Sequence, residues 1–278
     1  MLNPNIHKIK LTKKEFQIYN KQLIVPQIGI NGQKRLKKAK ILVIGAGGLG
    51  CPCMTYLISA GIGYIGIIDY DNISISNLNR QILYDINHIK TSKIAYAKKK
   101  LSLINPYCKI ILHPYKLNNL NAFEIIQYYD IIIDATDNFK ARYDIDNYCY
   151  LLHKIHVYSA VQQFESQISI FNYRNNIRYS NLYKKDINLI DNSCNRYGIL
   201  GIITGSAGIL QATESIKIIM GIGKVMHNYL FIQNLLNISV KKRIKSYITK
   251  QYYSDSYNNN KILNFNSLTQ LKQNNYII

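Results

Sequence analysis

Apolar residues come along the chain in short runs bounded by turn formers, and these runs alternate with longer segments of mixed character. KILVIG (40–45) is a β-branched run closed by glycine, the pattern of a strand buried on both faces. YIGIID (64–69), KIILHPY (109–115), DIIIDAT (130–136), IHVYSAV (155–161) and SQISIFNY (166–173) repeat that character. The intervening segments have helical length. GLGCPCMTYLISAG (48–61) ends at Gly61, a C-terminal cap, and a helix over 92–104, capped by Thr91, stops before Pro106. Further helices are expected near 121–129 and over 138–153, and two short ones over 12–38, broken around Pro26 and Gly29.

Strands alternating with helices of this length predict an α/β fold: a Rossmann-like, doubly wound, mostly parallel sheet behind an N-terminal helical segment. Residues 174–198 are polar and irregular and read as a crossover loop. The Gly-punctuated stretch 198–223 reads as a long core helix after a loop, and alternation over 228–241 as a closing antiparallel hairpin. From about 246 the chain is rich in Asn, Tyr and Ser and reads as a tail. The division expected is one catalytic domain over 1–245 and a polar tail over 246–278.

Composition changes this picture only in its treatment of charge. The 278 residues carry 35 Lys plus Arg against 15 Asp plus Glu, a net charge of +20 that invites a nucleic-acid reading. Yet 28 of those cations are Lys and 7 are Arg, while Ile (49), Asn (31) and Tyr (24) are equally inflated. These are residues of A/T-rich codons, so base composition accounts for most of the charge. A nucleic-acid surface favours Arg for bidentate contacts and clusters its cations, whereas these lysines are dispersed. No nucleic-acid partner is expected. No apolar run approaches the roughly 18–20 residues of a membrane helix, and no membrane association is expected.

The five cysteines, at 51, 53, 108, 149 and 194, are odd in number and irregular in spacing, which argues for a reducing compartment. No CxxC pair occurs. The opening residues have neither a secretory apolar core nor the Arg- and Ser-rich character of a transit peptide. With the codon bias, this places the protein in the plastid (chloroplast) stroma if organelle-encoded, and otherwise in the cytoplasm.

The strongest motif is Gly45-Ala46-Gly47-Gly48-Leu49-Gly50, a GxGxxG between an expected strand and an expected helix. Its glycines let backbone approach phosphate, and the helix start offers unpaired N–H groups. Asp69 ends the next strand, where a carboxylate accepts from ribose hydroxyls. A dinucleotide dehydrogenase would share that fingerprint, so the residues downstream decide. Arg80, Lys93 and Asp137 sit after strands in a way a dehydrogenase has no use for. A triphosphate being cleaved does need them: cations for the departing pyrophosphate, and a carboxylate for Mg²⁺.

GAGGLG, DYDNISISNLNRQIL, the Lys93 region, DATDNFKARY and GSAGILQATESIK together resemble the adenylyltransferases that activate sulfur-carrier proteins. These form the HesA/MoeB/ThiF group, related to the catalytic domain of ubiquitin-activating enzymes, and the likeness runs in order over about 12–245. It implies ATP-dependent adenylation of the C-terminal glycine carboxylate of a small ubiquitin-like sulfur carrier, releasing pyrophosphate, with molybdopterin (molybdenum cofactor) biosynthesis the first choice of pathway. The thiamine-pathway carrier, a tRNA-modifying dehydratase of the same superfamily and a degenerate carrier-binding scaffold stay open. By the same resemblance Gly45, Gly47 and Gly48 approach the ATP phosphates, Asp69 holds the ribose, and Asn77, Arg80 and Lys93 contact phosphates. Asp137 would ligate Mg²⁺. The family is homodimeric, and an Arg that its members send into the partner's site is Lys21 here.

Two departures matter. Many relatives hold a structural zinc on two CxxC pairs, but the matching stretch Arg178-Tyr179-Ser180-Asn181-Leu182 has no cysteine, so no zinc of that kind is expected. Cys194 aligns with a cysteine that forms a covalent carrier adduct in some relatives and is dispensable in others; both readings stay open. Residues 246–278 are too few for the rhodanese-like domain some relatives append, which makes a separate sulfur donor the expectation.

Overall fold

The computed structural model describes residues 2, 4–174, 177–184 and 198–244, and Cys194 and the expected tail 246–278 lie outside them. Three helices open the chain: α1 (Lys13–Ile18), α2 (Asn20–Leu23) and α3 (Gly29–Lys38). Two were expected. The first is cut at Tyr19, whose ring is buried and whose hydroxyl accepts from Asn105 Nδ2 at 2.8 Å. A capping box between Thr12 and Glu15 starts α1, and Glu15 then pairs with Lys37 of α3 at 2.7 Å.

Then follow β1 (Lys40–Ile44), α4 (Gly50–Ser59), β2 (Tyr64–Ile68), α5 (Lys93–Ile104), β3 (Lys109–His113), α6 (Ala122–Ile126), β4 (Ile131–Asp134), α7 (Phe139–Leu151) and β5 (Ile155–Gln162). The helix cap before α5 is Ser92 rather than Thr91. Ser92 Oγ accepts from Ala95 N, while Thr91 Oγ1 turns back to donate to His88 O at 2.7 Å. The chain closes with β6 (Glu165–Phe171), α8 (Tyr179–Leu182), α9 (Gly201–Met220), β7 (Tyr229–Asn234) and β8 (Ser239–Ile244). The crossover segment is therefore not wholly irregular, since α8 lies within it.

One eight-stranded sheet runs β3-β2-β1-β4-β5-β6-β7-β8. The strands β1 to β5 are parallel, and β6, β7 and β8 are antiparallel. Alternate side chains feed two cores, as a period of two requires. Ile41 and Val43 of β1, with Ile131 and Ile133 of β4, join the core beneath α4, α5 and α9. Leu42, Ile44 and Ile132 point to the opposite core with α6 and α7. After β3 the chain returns to the far side of β1 to lay down β4, so strand order reverses between β1 and β4. A crevice opens there at the carboxyl ends of the strands.

Candidate nucleotide site

The turn from β1 into α4 is built on two glycines. Gly45 has φ +102°, and a Cβ on Gly50 would lie 2.0 Å from Gly45 O, so neither position admits a side chain. Asp69, just past β2, fastens this turn: its Oδ2 accepts from Ala46 N and its Oδ1 from Asp71 N, both at 2.8 Å. Burial raises the Asp69 carboxyl above its ordinary value, opposed by the nearby Lys93 charge and by those two N–H groups.

Gly45, Gly47, Gly48, Asp69, Arg80, Lys93 and Asp137 all line one cavity of about 390 Å³. Ile44, Ile68, Leu117 and Ala135 give it an apolar wall. Lys93, the first residue of α5, is buried, and its Nζ donates to Asp71 Oδ2 at 2.8 Å. Arg80 is steered from its own turn, with Nη1 donating to Ser76 O at 2.9 Å and Asn79 Oδ1 at 3.0 Å. Asp137 is exposed, and Asn138 Nδ2 donates to its Oδ1 at a long 3.5 Å. One open carboxylate beside a wall of glycines and cations suits Mg²⁺, which takes one or two carboxylates and fills its shell with phosphate oxygens and water.

Two expected residues lie elsewhere. Asn77 is outside the cavity wall, and its Oδ1 accepts from Ser74 N at 3.2 Å, capping a 3₁₀ turn (Ile75–Asn77). Lys21 is exposed on α2, away from this cavity. Cys194 is outside the described residues. The other four cysteines are buried, and burial pushes the Cys51 and Cys108 thiols up to about 12.

The wall also holds residues the sequence pattern did not single out. Gln81 is buried, and its Oε1 has no hydrogen-bond partner among the described residues. Arg142 is 1% exposed, with Nη2 donating to Thr136 O at 3.1 Å and its guanidinium 5.5 Å from the Phe139 and Tyr158 ring centres. Gln81 adjoins Arg80 in sequence and was within reach of a motif reading. Arg142 lies within DATDNFKARY, in the first turn of α7, where an arginine ordinarily marks a solvated face.

The arrangement can bind a nucleotide polyphosphate: backbone N–H groups and Arg80 and Lys93 for anionic oxygens, Asp69 for hydroxyls, an apolar wall for a base. Among the described residues, no group of three or more His, Cys, Asp or Glu could hold a metal. The Arg178–Leu182 stretch is α8 with its N-cap and is pinned by buried Asp146, which accepts from Arg178 Nη2 at 3.1 Å and Tyr179 N at 2.8 Å.

The sequence pattern of the ThiF family matches residues 19–253. A probable molybdopterin-synthase adenylyltransferase from Porphyra purpurea is 47% identical over 87% of this chain and 64% of its own length. The one from Gracilaria tenuistipitata is 44% identical over 86% of this chain and 67% of its own. The chain thus spans about two thirds of the length of those two curated relatives. A sulfur carrier protein adenylyltransferase from Thermus thermophilus is 36% identical over 84% of this chain and 89% of its own length. The solved structure of E. coli MccB with ATP has the same fold, with a TM-score of 0.70 at 18% identity over 84% of this chain and 79% of that one.

Proposed function

The chain belongs to the ThiF family, and from that premise we propose that it adenylates the C-terminal glycine carboxylate of a small ubiquitin-like sulfur carrier for molybdopterin biosynthesis. The observation that carries the reading is the meeting of Gly45, Asp69, Arg80, Lys93 and Asp137 in one cavity at the strand ends. Similarity to molybdopterin-synthase and sulfur carrier protein adenylyltransferases supports the choice of carrier and pathway.

The chemistry asks little of the protein beyond placement. A carboxylate oxygen of the carrier attacks the α-phosphorus of ATP, an O–P bond forms, and the bond to the bridging oxygen breaks as pyrophosphate leaves with its electron pair. The carboxylate is already a nucleophile, so no general base is needed. Lys93 and Arg80 stabilise charge gathering on the departing phosphates, and a buried ammonium held by Asp71 needs little reorganisation to do so. Asp69 fixes the glycine turn and receives the ribose. Asp137 would hold Mg²⁺, which when bound supplies charge neutralisation on the phosphates.

A homodimer fits the surface of the N-terminal helices. Phe16, Ile18, Ile24, Val25 and Ile30, near Lys21 in the chain, are apolar and all at least 40% exposed, which supports their being covered by a second copy. A second copy covering them is how Lys21 would reach a neighbouring site. The plastid stroma is the proposed location, in keeping with the codon-driven composition.

Mass spectrometry of the carrier after incubation with enzyme and Mg-ATP tests the activity. The molybdopterin-pathway carrier should gain one AMP, and a carrier lacking its last glycine should not. Adduct on the thiamine-pathway carrier alone would move the pathway, and adduct on neither would reject the reading.

A further inference from the structure

Below the nucleotide cavity two polar side chains meet in a place the chemistry above does not use. Asp134 is the last residue of β4 and His156 the second of β5, and both are fully buried. In the parallel register Asp134 pairs with Tyr158 and Ile132 with His156, so the two side chains are diagonal neighbours on one face. His156 Nε2 lies 3.2 Å from Asp134 Oδ2. The other carboxylate oxygen, Oδ1, accepts from Thr136 N at 3.1 Å and from Thr136 Oγ1 at 2.6 Å.

Asp134 is therefore gripped from two sides. One oxygen closes the turn that carries Thr136, Asp137 and Asn138 into the cavity wall, and the other is tethered to the next strand. A carboxylate this deep is costly unless its oxygens are bonded, and rotation about its Cβ–Cγ bond would release the Thr136 turn.

His156 bears a cost of its own. The tautomer that satisfies the carboxylate puts hydrogen on Nε2, and Nδ1 is then an acceptor with no hydrogen-bond partner among the described residues. Its surroundings are rings: Phe171, Tyr179 and Tyr158, with centres 5.7, 6.3 and 6.4 Å away. An aliphatic side chain would fill such a pocket without stranding a nitrogen. What it would not supply is a donor for Asp134 Oδ2.

We propose that His156 is a positioning residue for nucleotide binding: by holding Asp134 Oδ2 it fixes the Thr136–Asp137 turn, and so the place where the Asp137 carboxylate meets the metal–phosphate end of ATP. The proposal rests on the ATP reading above but not on the identity of the carrier.

The test compares the full-length wild type with His156→Leu, which removes the donor, and His156→Gln, which returns an N–H at similar reach. ATP binding is measured by calorimetry with Mg²⁺ and with EDTA. Loss of one hydrogen bond to a buried carboxylate should weaken Mg-ATP binding about tenfold in His156→Leu. Metal-free ATP should change less than about twofold, because the glycine turn and Asp69 are untouched, and His156→Gln should return to within about threefold of wild type. Equal weakening of both forms of ATP, or no rescue by Gln, would reduce His156 to packing and overturn the proposal. If His156→Leu does not fold, His156→Met, which also lacks the donor, takes its place, with the same selective loss of Mg-ATP binding expected and equal weakening of both forms of ATP overturning the proposal. A wild type that binds Mg-ATP but adenylates no carrier retires the carrier reading and leaves this one standing; a wild type that binds no ATP overturns both.

Discussion

Lys93 and Asp71 are joined twice: Nζ donates to Asp71 Oδ2 at 2.8 Å, and Lys93 N donates to Asp71 O at 3.0 Å. The first residue of α5 is thereby tied to the loop after β2, and a buried cation is aimed across the cavity. Lys93→Ala should lower the rate of ATP–pyrophosphate exchange by about 10²–10³-fold, the scale for losing one preorganised charge partner of the transition state. Asp71→Asn keeps the cation and loosens its aim. Because Asp71 is 49% exposed, its effect should be smaller, about three- to tenfold and mostly in KM for ATP. Equal effects of the two substitutions would contradict this division of roles.

Asp69 gives the site an acid limb. Its raised pKa means that ionised Asp69 is a burden on the empty fold, so this group's contribution to stability is fullest below the ordinary carboxylate value and is lost as pH rises through the folded value. Nucleotide binding has the opposite sign, since accepting from ribose hydroxyls requires the ionised form. The affinity ratio of wild type to Asp69→Asn, which cancels ionisation of ATP itself, should rise with pH through the raised value of the folded carboxyl and then level off. A ratio flat across that range would remove Asp69 from the ribose role.

Thiol reactivity separates buried from accessible cysteines. Cys51, Cys53, Cys108 and Cys149 are buried with raised pKa values, and the thiolate is the reactive form. A disulfide reagent at about pH 8 should titrate no more than one thiol per native chain, assigned to Cys194, and all five after unfolding. Cys194→Ser should bring the native count to zero while leaving exchange intact. Loss of exchange in that variant would give Cys194 a part in adenylation itself.

The exposed apolar residues near Lys21 in the chain have a direct readout in mass. Ile24 is 68% exposed, so Ile24→Asp costs a monomer little and sets a charge in the proposed contact. Sedimentation should show a dimer for wild type and a monomer for the variant, with exchange reduced through loss of the partner's Lys21. A monomeric wild type with full activity would dispose of the dimer.

The elements that place the site were legible because their signals are local. A β-branched run ending in GAGGLG, then Asp69 and Asp137 at the ends of later strands, fixes three corners of the cavity from order alone, and the topology brings them together. Asn77 shows the limit of that reasoning, since its side chain serves its own 3₁₀ turn within this chain. Asp71 with Lys93, and Asp134 with His156, are pairs 22 residues apart, and nothing in one sequence says which charges will face each other across that span. Arg142 was hidden for a different reason: one of the rings beside its guanidinium, Phe139, opens its own helix, but the other, Tyr158, comes from β5, which its own helix cannot foretell. The cap of α5 fell one residue from its expected place, an error typical of adjacent Thr and Ser.

Carrier-dependent ATP–pyrophosphate exchange is the most direct test. With the small subunit of molybdopterin synthase as carrier and ATP saturating, wild type should exchange label, a carrier without its terminal glycine should not, and Asp137→Ala should lose at least about 100-fold while still folded. Exchange with neither the molybdopterin nor the thiamine carrier, by enzyme shown to bind ATP, would contradict the account.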